Sequence, residues 1–364
     1  MREKLQERGW TQDQLCTITG YGKQAISLLV NERSGNLAAD MAKALAAAFG
    51  NTAEEWLKWD SQYRLSVADG DVRDIERRAH LYSLAPVRDM QKRGWIAITD
   101  DTERLETELK KFFGVDSLEG DVVFPVATFR TETLPYLNPA EKAWCFRART
   151  MASALPVPAF CPDRLNEAEK ELRKLAAYPK EARHLTELLA AYGIRFVVAE
   201  PLPGAKIDGA AFWLNDTSPA IAISLRFDRI DAFWFTFMHE FAHIKHGDAL
   251  SVDRDLIDGT IGVAVMLVED EAEQKANEAA ANILVPSREL DSFVSRVGPL
   301  YSKERIIQFA HKMKIHPGII VGQLQHRNEL GYASNREMLV KVRSAVIETA
   351  LTDGWNRSIT PGLL

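Results

Sequence analysis

Residues 231–248 read DAFWFTFMHEFAHIKHGD. Within them His239, Glu240 and His243 form H-E-x-x-H inside an apolar, aromatic run that stops at Gly247, the pattern of a helix of about four turns closed by a glycine. Residues four apart lie on one helix face, so both imidazoles can approach one metal ion while Glu240 stands beside it. Zinc held by two histidines and a carboxylate keeps its fourth position for water and lowers that water's pKa to about 7. Glu240 then takes the water's proton as it attacks a peptide carbonyl and hands it to the departing amine. The same nitrogen and oxygen donors also suit Mn²⁺ or Fe²⁺, because such sites discriminate metals weakly.

A third ligand is expected from a carboxylate downstream, where EDEAEQKANEAAANILVP offers Glu269, Asp270, Glu271, Glu273 and Glu278. Glu273 ranks first because Asn277 lies one turn beyond it and the alanines 279–281 favour close helix packing, with Glu278 as the alternative. His246 shares the face of the motif histidines but falls in the last turn, where histidines more often meet free carbonyls. His311 and His316 have no ligand partner at a suitable spacing and read as structural or surface residues.

Upstream of the motif helix the apolar period changes to that of strands at 195–199, 210–214 and 220–225, which predicts a small antiparallel sheet and an α+β core. Residues 220–225 are expected to hold substrate as an added strand at a sheet edge. Helical patterns span 165–177 and 181–192, split by Pro179, and others run at 101–113 and from an Asn138 cap followed by Pro139. These patterns divide the chain into a helical module at 1–65, a mixed, mainly helical region at 66–165, a core at 166–295 and a helical segment at 296–364.

In the first module, a helix from Thr11 to Thr19, a turn at Gly20 and a second helix from Gly22 to Val30 make a two-helix DNA-reading pattern. Lys23, Gln24 and Ser27 would then face the major groove, with Leu15, Ile26 and Leu29 in the core. Residues 1–35 hold five Lys/Arg and four Asp/Glu, a net charge of only +1. So weak a phosphate attraction calls for a homodimer to hold DNA, or for docking to protein instead.

The whole chain carries a formal net charge of -6 over 364 residues, which excludes a uniformly basic coat for nucleic acid. Its three cysteines, Cys16, Cys145 and Cys161, show no metal-binding or redox pairing, no export signal opens the chain, and the apolar run at 261–268 is far too short to span lipid. A soluble, cytoplasmic protein with no membrane contact is expected.

Two family resemblances emerge from these motifs. The first 60 or so residues, including DMAKALAAAFGNTAEEWLKWDSQY, resemble the Xre-type helix-turn-helix of HigA-like antitoxins. FWFTFMHEFAHIKHGD and EAEQKANEAAANILVP resemble the ImmA/IrrE metallopeptidases over residues 170–330. The second resemblance implies a zincin-like core, zinc on His239, His243 and Glu273, and Glu240 as catalytic base. It also implies a protein substrate, a helix-turn-helix repressor or antitoxin, whose cleavage switches on stress-response or mobile-element genes.

Overall fold

The computed structural model describes residues 1–31, 36–68, 72–119, 124–126, 130–132, 137–247, 250–254 and 271–353. Two units divide at Asp74/Ile75, each with its own contacts.

The first unit is built from α1 (Arg2–Arg8), α2 (Gln12–Thr19), α3 (Lys23–Val30), α4 (Ala39–Phe49) and α5 (Ala53–Val67). Its helix starts are written in local chemistry. Thr11 accepts a hydrogen bond from the Gln14 amide while the Gln14 side chain accepts from the Thr11 amide, and Thr52 and Glu55 repeat this reciprocal cap at α5. Gly20 closes α2 with φ 75°, a conformation that a side chain would disfavour, and so makes the sharp turn into α3. Leu15, Ile26, Leu45, Phe49 and Trp56 form the core, and Leu29 is only partly buried at its margin.

The second unit opens with α6 (Arg73–Leu84), α7 (Val87–Lys92) and α8 (Thr102–Phe113), then a short antiparallel hairpin, β1 (Phe124–Val126) and β2 (Arg130–Glu132), and α9 (Pro139–Ser153). Next come α10 (Leu165–Leu175), α11 (Leu185–Ala191), β3 (Arg195–Val198), β4 (Ile207–Trp213), β5 (Pro219–Ile223), α12 (Ile230–His246) and β6 (Leu250–Arg254). The remainder is α13 (Glu271–Leu284), α14 (Ser287–Val297), α15 (Lys303–Met313), α16 (Pro317–His326), α17 (Arg343–Val346) and β7 (Leu351–Thr352).

The sheet runs β6-β4-β5-β3-β7. It is mixed, which corrects the expected antiparallel sheet: β4 pairs antiparallel with β5 and β6, but β3 runs parallel to both β5 and β7. Alternation of apolar residues fixes which face a side chain takes, not the direction of the neighbouring strand. The structure adds two strands that the apolar pattern did not announce, β6 and the two-residue β7.

Both faces of the sheet are covered. Phe196, Val198, Ala211, Ile221 and Ile223 join one core with α10 to α17, while Val197, Ala210, Phe212, Ala220 and Ala222 join another with α6 to α9. The region 66–165, for which the sequence suggests no role, thus supplies most of the layer that roofs the second face. Double burial also explains why β5 is apolar at every position. The first core is continuous across residues 295/296, where a division was expected, and Arg173 clasps it by donating to the carbonyls of Ile283 and Met313, both at 2.8 Å. Among the described residues no helix is long and apolar enough to cross a membrane.

Candidate metal centre

α12 is apolar nearly all round and therefore buried along most of its length, between the sheet, α13 and α16. Phe233, Trp234, Phe237 and Phe241 anchor it in the core, which fixes the rotation that brings His239 and His243 together toward α13. Ala276 and Ala280, both fully buried, keep the α13 surface low where the two helices meet. Glu273 stands in the first turn of α13 and reaches both histidines.

Three donors converge. His239 Nε2 lies 2.9 Å from His243 Nε2 and 3.1 Å from Glu273 Oε2, and His243 Nε2 lies 3.5 Å from Glu273 Oε1. Ligand atoms 2.0–2.1 Å from a tetrahedral ion would stand about 3.3 Å apart, so the spacing of the set suits one such ion. Protonation points the same way. Asn277 Oδ1, 3.0 Å from His239 Nδ1, can only accept, so Nδ1 carries the hydrogen and Nε2 turns a lone pair toward the other two donors. A cation at their centre would relieve the crowding of that lone pair, the second imidazole and a carboxylate.

The two histidines are buried, whereas the Glu273 side chain is 37% exposed, so solvent reaches the cluster from that side. Burial pushes the Glu273 carboxyl up, but hydrogen bonds from His239 and His243, which require their rings to be protonated so that Nε2 also carries a hydrogen, outweigh it and hold the group well below the usual carboxylate range. The expected ligand set His239, His243 and Glu273 is therefore one cluster. The alternatives stand elsewhere: Glu278 is exposed, Glu271 is exposed and pairs with Lys275, and His246 is exposed beyond the buried part of α12. Glu269 and Asp270 lie outside the described residues.

Glu240, next in the chain to His239, is fully buried on the sheet side of α12. It lies against Gly209 of β4, where any Cβ would overlap Glu240 Oε1 and approach Thr236 Cγ2 to 2.9 Å. Gly209 thus positions the candidate base, and the sequence reading did not single it out. The available signal was a glycine just ahead of a predicted strand, where close approach of another group is a common reason for the missing side chain. The strand at 220–225, expected to hold substrate at an edge, is β5, and both of its edges are already paired, with β4 and β3. The sheet's outer strands are β6 and β7, so β5 has no backbone groups left to pair with a peptide.

In the first unit Lys23 and Gln24 are exposed at the start of α3, and Ser27 is half-buried one turn on. Lys23 Nζ sits 2.8 Å from Asp13 Oδ1 of α2, and Ser27 Oγ accepts from Asn31 Nδ2 at 3.2 Å. Residues 1–57 match the helix-turn-helix family model, which supports a DNA-binding, transcription-regulating module in the amino-terminal unit. No curated protein and no solved structure matches the chain.

Proposed function

We propose that the second unit is a zinc-dependent endopeptidase acting on a protein substrate, a helix-turn-helix repressor or antitoxin, and that the first unit contacts DNA. The observation that carries this reading is the convergence of His239, His243 and Glu273 at ligand spacing with a buried glutamate, Glu240, adjoining in the chain. The choice of substrate rests on the resemblance of residues 170–330 to the ImmA/IrrE metallopeptidases. Zinc on these ligands would polarise a carbonyl and make water acidic at neutral pH. His239 and His243 would hold the ion through Nε2, and Glu273 would close the third position. Asn277 would keep His239 in the required tautomer. Glu240 would take the proton of the attacking water and release it to the amine nitrogen of the broken peptide bond.

A second reading is favoured by the family match at residues 1–57. In it the chain regulates transcription, and the metal cluster senses a cation. Purified protein incubated with a small helix-turn-helix repressor, with zinc and with a chelator, separates the two. Discrete cleavage lost on chelation supports the peptidase, while intact repressor together with zinc-dependent binding to promoter DNA supports the sensor.

A further inference from the structure

The space between α12 and α13 continues past the metal cluster. Phe235 stands one helical turn before His239 and Asn277 one turn after Glu273, and both line a cleft of about 520 Å³ whose third wall is α16. The cleft therefore leaves the cluster in one direction along both helices, and Asn277 links the two by accepting the His239 Nδ1–H. Part of its wall is apolar, with Phe235, Ala281 and Ile319 in the lining.

Charge selects the occupant. Arg229 on the wall is matched by Asp231 at 2.5 and 3.1 Å, and Arg327 by Asp291 at 2.5 Å. Glu278, next to Asn277, lines the same cleft, is exposed, and meets no cation among the described residues. One solvated carboxylate beside an apolar wall suits a side chain that buries an alkyl stem and keeps a cationic head in water. An acidic group would be repelled by Glu278 and would have to break an existing pair to find a cation of its own.

The reach is suitable for a peptide held at the cluster. Glu278 lies five residues along α13 from Glu273, about 7.5 Å at the helical rise. Residues of an extended peptide advance about 3.3 Å each, so a long basic side chain within two residues of the bond being cut brings its head to Glu278.

Resting on the peptidase reading, we propose that this cleft is the specificity pocket of the metal centre and takes a lysine or arginine side chain of the protein substrate, its stem on Phe235 and Ala281 and its head at Glu278. The rest of the volume admits an apolar neighbour of that residue.

The probes are acetyl-Leu-Arg-amide and the same peptide with citrulline, which keeps the shape of arginine without its charge. Both are titrated into the full chain without metal, by ligand-observed NMR at low ionic strength, where an exposed ion pair is least screened. The arginine peptide is expected to bind at least about threefold more tightly. Glu278→Gln should erase that difference, and Glu278→Lys should turn it into a preference for citrulline. Ala281→Phe should weaken both peptides by filling the cleft, with thermal melts checking that each variant folds. No binding of the arginine peptide, equal affinity for the two, a difference that persists in Glu278→Gln, or binding undiminished in folded Ala281→Phe would each overturn the site. With zinc, cuts in a mixture of peptides should fall within two residues of Lys or Arg, and Glu278→Lys should move them toward Asp or Glu. Cuts without that preference would overturn the role of the cleft in choosing substrate. Arginine-selective binding that depends on Glu278, with no cleavage of any peptide, would sink the peptidase reading and leave the binding site standing.

Discussion

Glu240, the chain neighbour of His239, and Asn277, hydrogen-bonded to its ring, act on different quantities, which lets single substitutions distinguish their roles. Glu240 adjoins His239 in the chain without being one of the three donors, so Glu240→Gln keeps the size of the side chain and removes only the basicity. The expected outcome is one zinc per chain by elemental analysis with peptide cleavage reduced by about 10²- to 10⁴-fold, the usual contribution of a positioned base. A variant that still cuts at the wild-type rate would remove Glu240 from the mechanism. Asn277→Ala does the reverse, leaving the base untouched but releasing the Nδ1 hydrogen bond that orients His239. Metal affinity should drop by roughly 10- to 100-fold, measured by competition with a chromophoric chelator, with activity recovered in excess zinc. His239, Glu240 and His243 were legible because one helix period sets their geometry. Glu273 needed a second helix to be placed, and the sequence only ranked it above Glu278. Gly209 was not legible at all, since its importance lies in which side chain from another element occupies its missing Cβ.

Elements follow local rules more closely than their assembly does. The caps at Thr11, Asp101 and Asn138 and the stop at Gly247 lie where hydrogen-bonding side chains and glycine predict them. Strand direction and β7 depend on segments far apart in the chain and were not readable. α16 carries an unusual cap with a testable consequence: His316 Nδ1 accepts the Gly318 amide at 3.1 Å, which only the form with Nδ1 unprotonated can do. Burial lowers the His316 pKa from its ordinary 6.5. The unfolded chain therefore takes up the proton first as pH falls, so the stabilisation is full above 6.5 and is lost as pH drops through the lower folded value. His316→Asn keeps a capping acceptor that does not titrate, and thermal melts from pH 8 to pH 5 should show a shallower loss of stability than wild type. His316→Ala should cost about 1 kcal/mol at pH 8. Parallel melting curves for wild type and His316→Asn would show that the cap does not contribute.

At the scale of the whole molecule, a helix-turn-helix unit precedes a unit carrying a candidate metal centre, and the two readings of that centre make opposite demands on DNA binding. If the centre is a peptidase, the first unit should bind DNA equally with and without zinc, because its core of Leu15, Ile26, Leu45, Phe49 and Trp56 is complete in itself. If the centre is a sensor, zinc must change DNA affinity, since only a difference in affinity between states can transmit a signal. Promoter-DNA band shifts across a salt series decide this, and the exposed residues of α3 provide the internal control. Lys23 is exposed beside Asp13, so Lys23→Ala should weaken binding similarly on all sequences and flatten the salt dependence. Gln24→Ala should instead lose discrimination at one base pair, worth about 1–3 kcal/mol, as expected for a side chain that reads a base edge. The net charge of +1 over residues 1–35 further predicts that binding rises steeply with protein concentration, as two modules on adjacent half-sites would require. A simple one-site isotherm, with neither substitution altering it, would place the DNA contact outside α3 and make a protein surface the better partner for this helix.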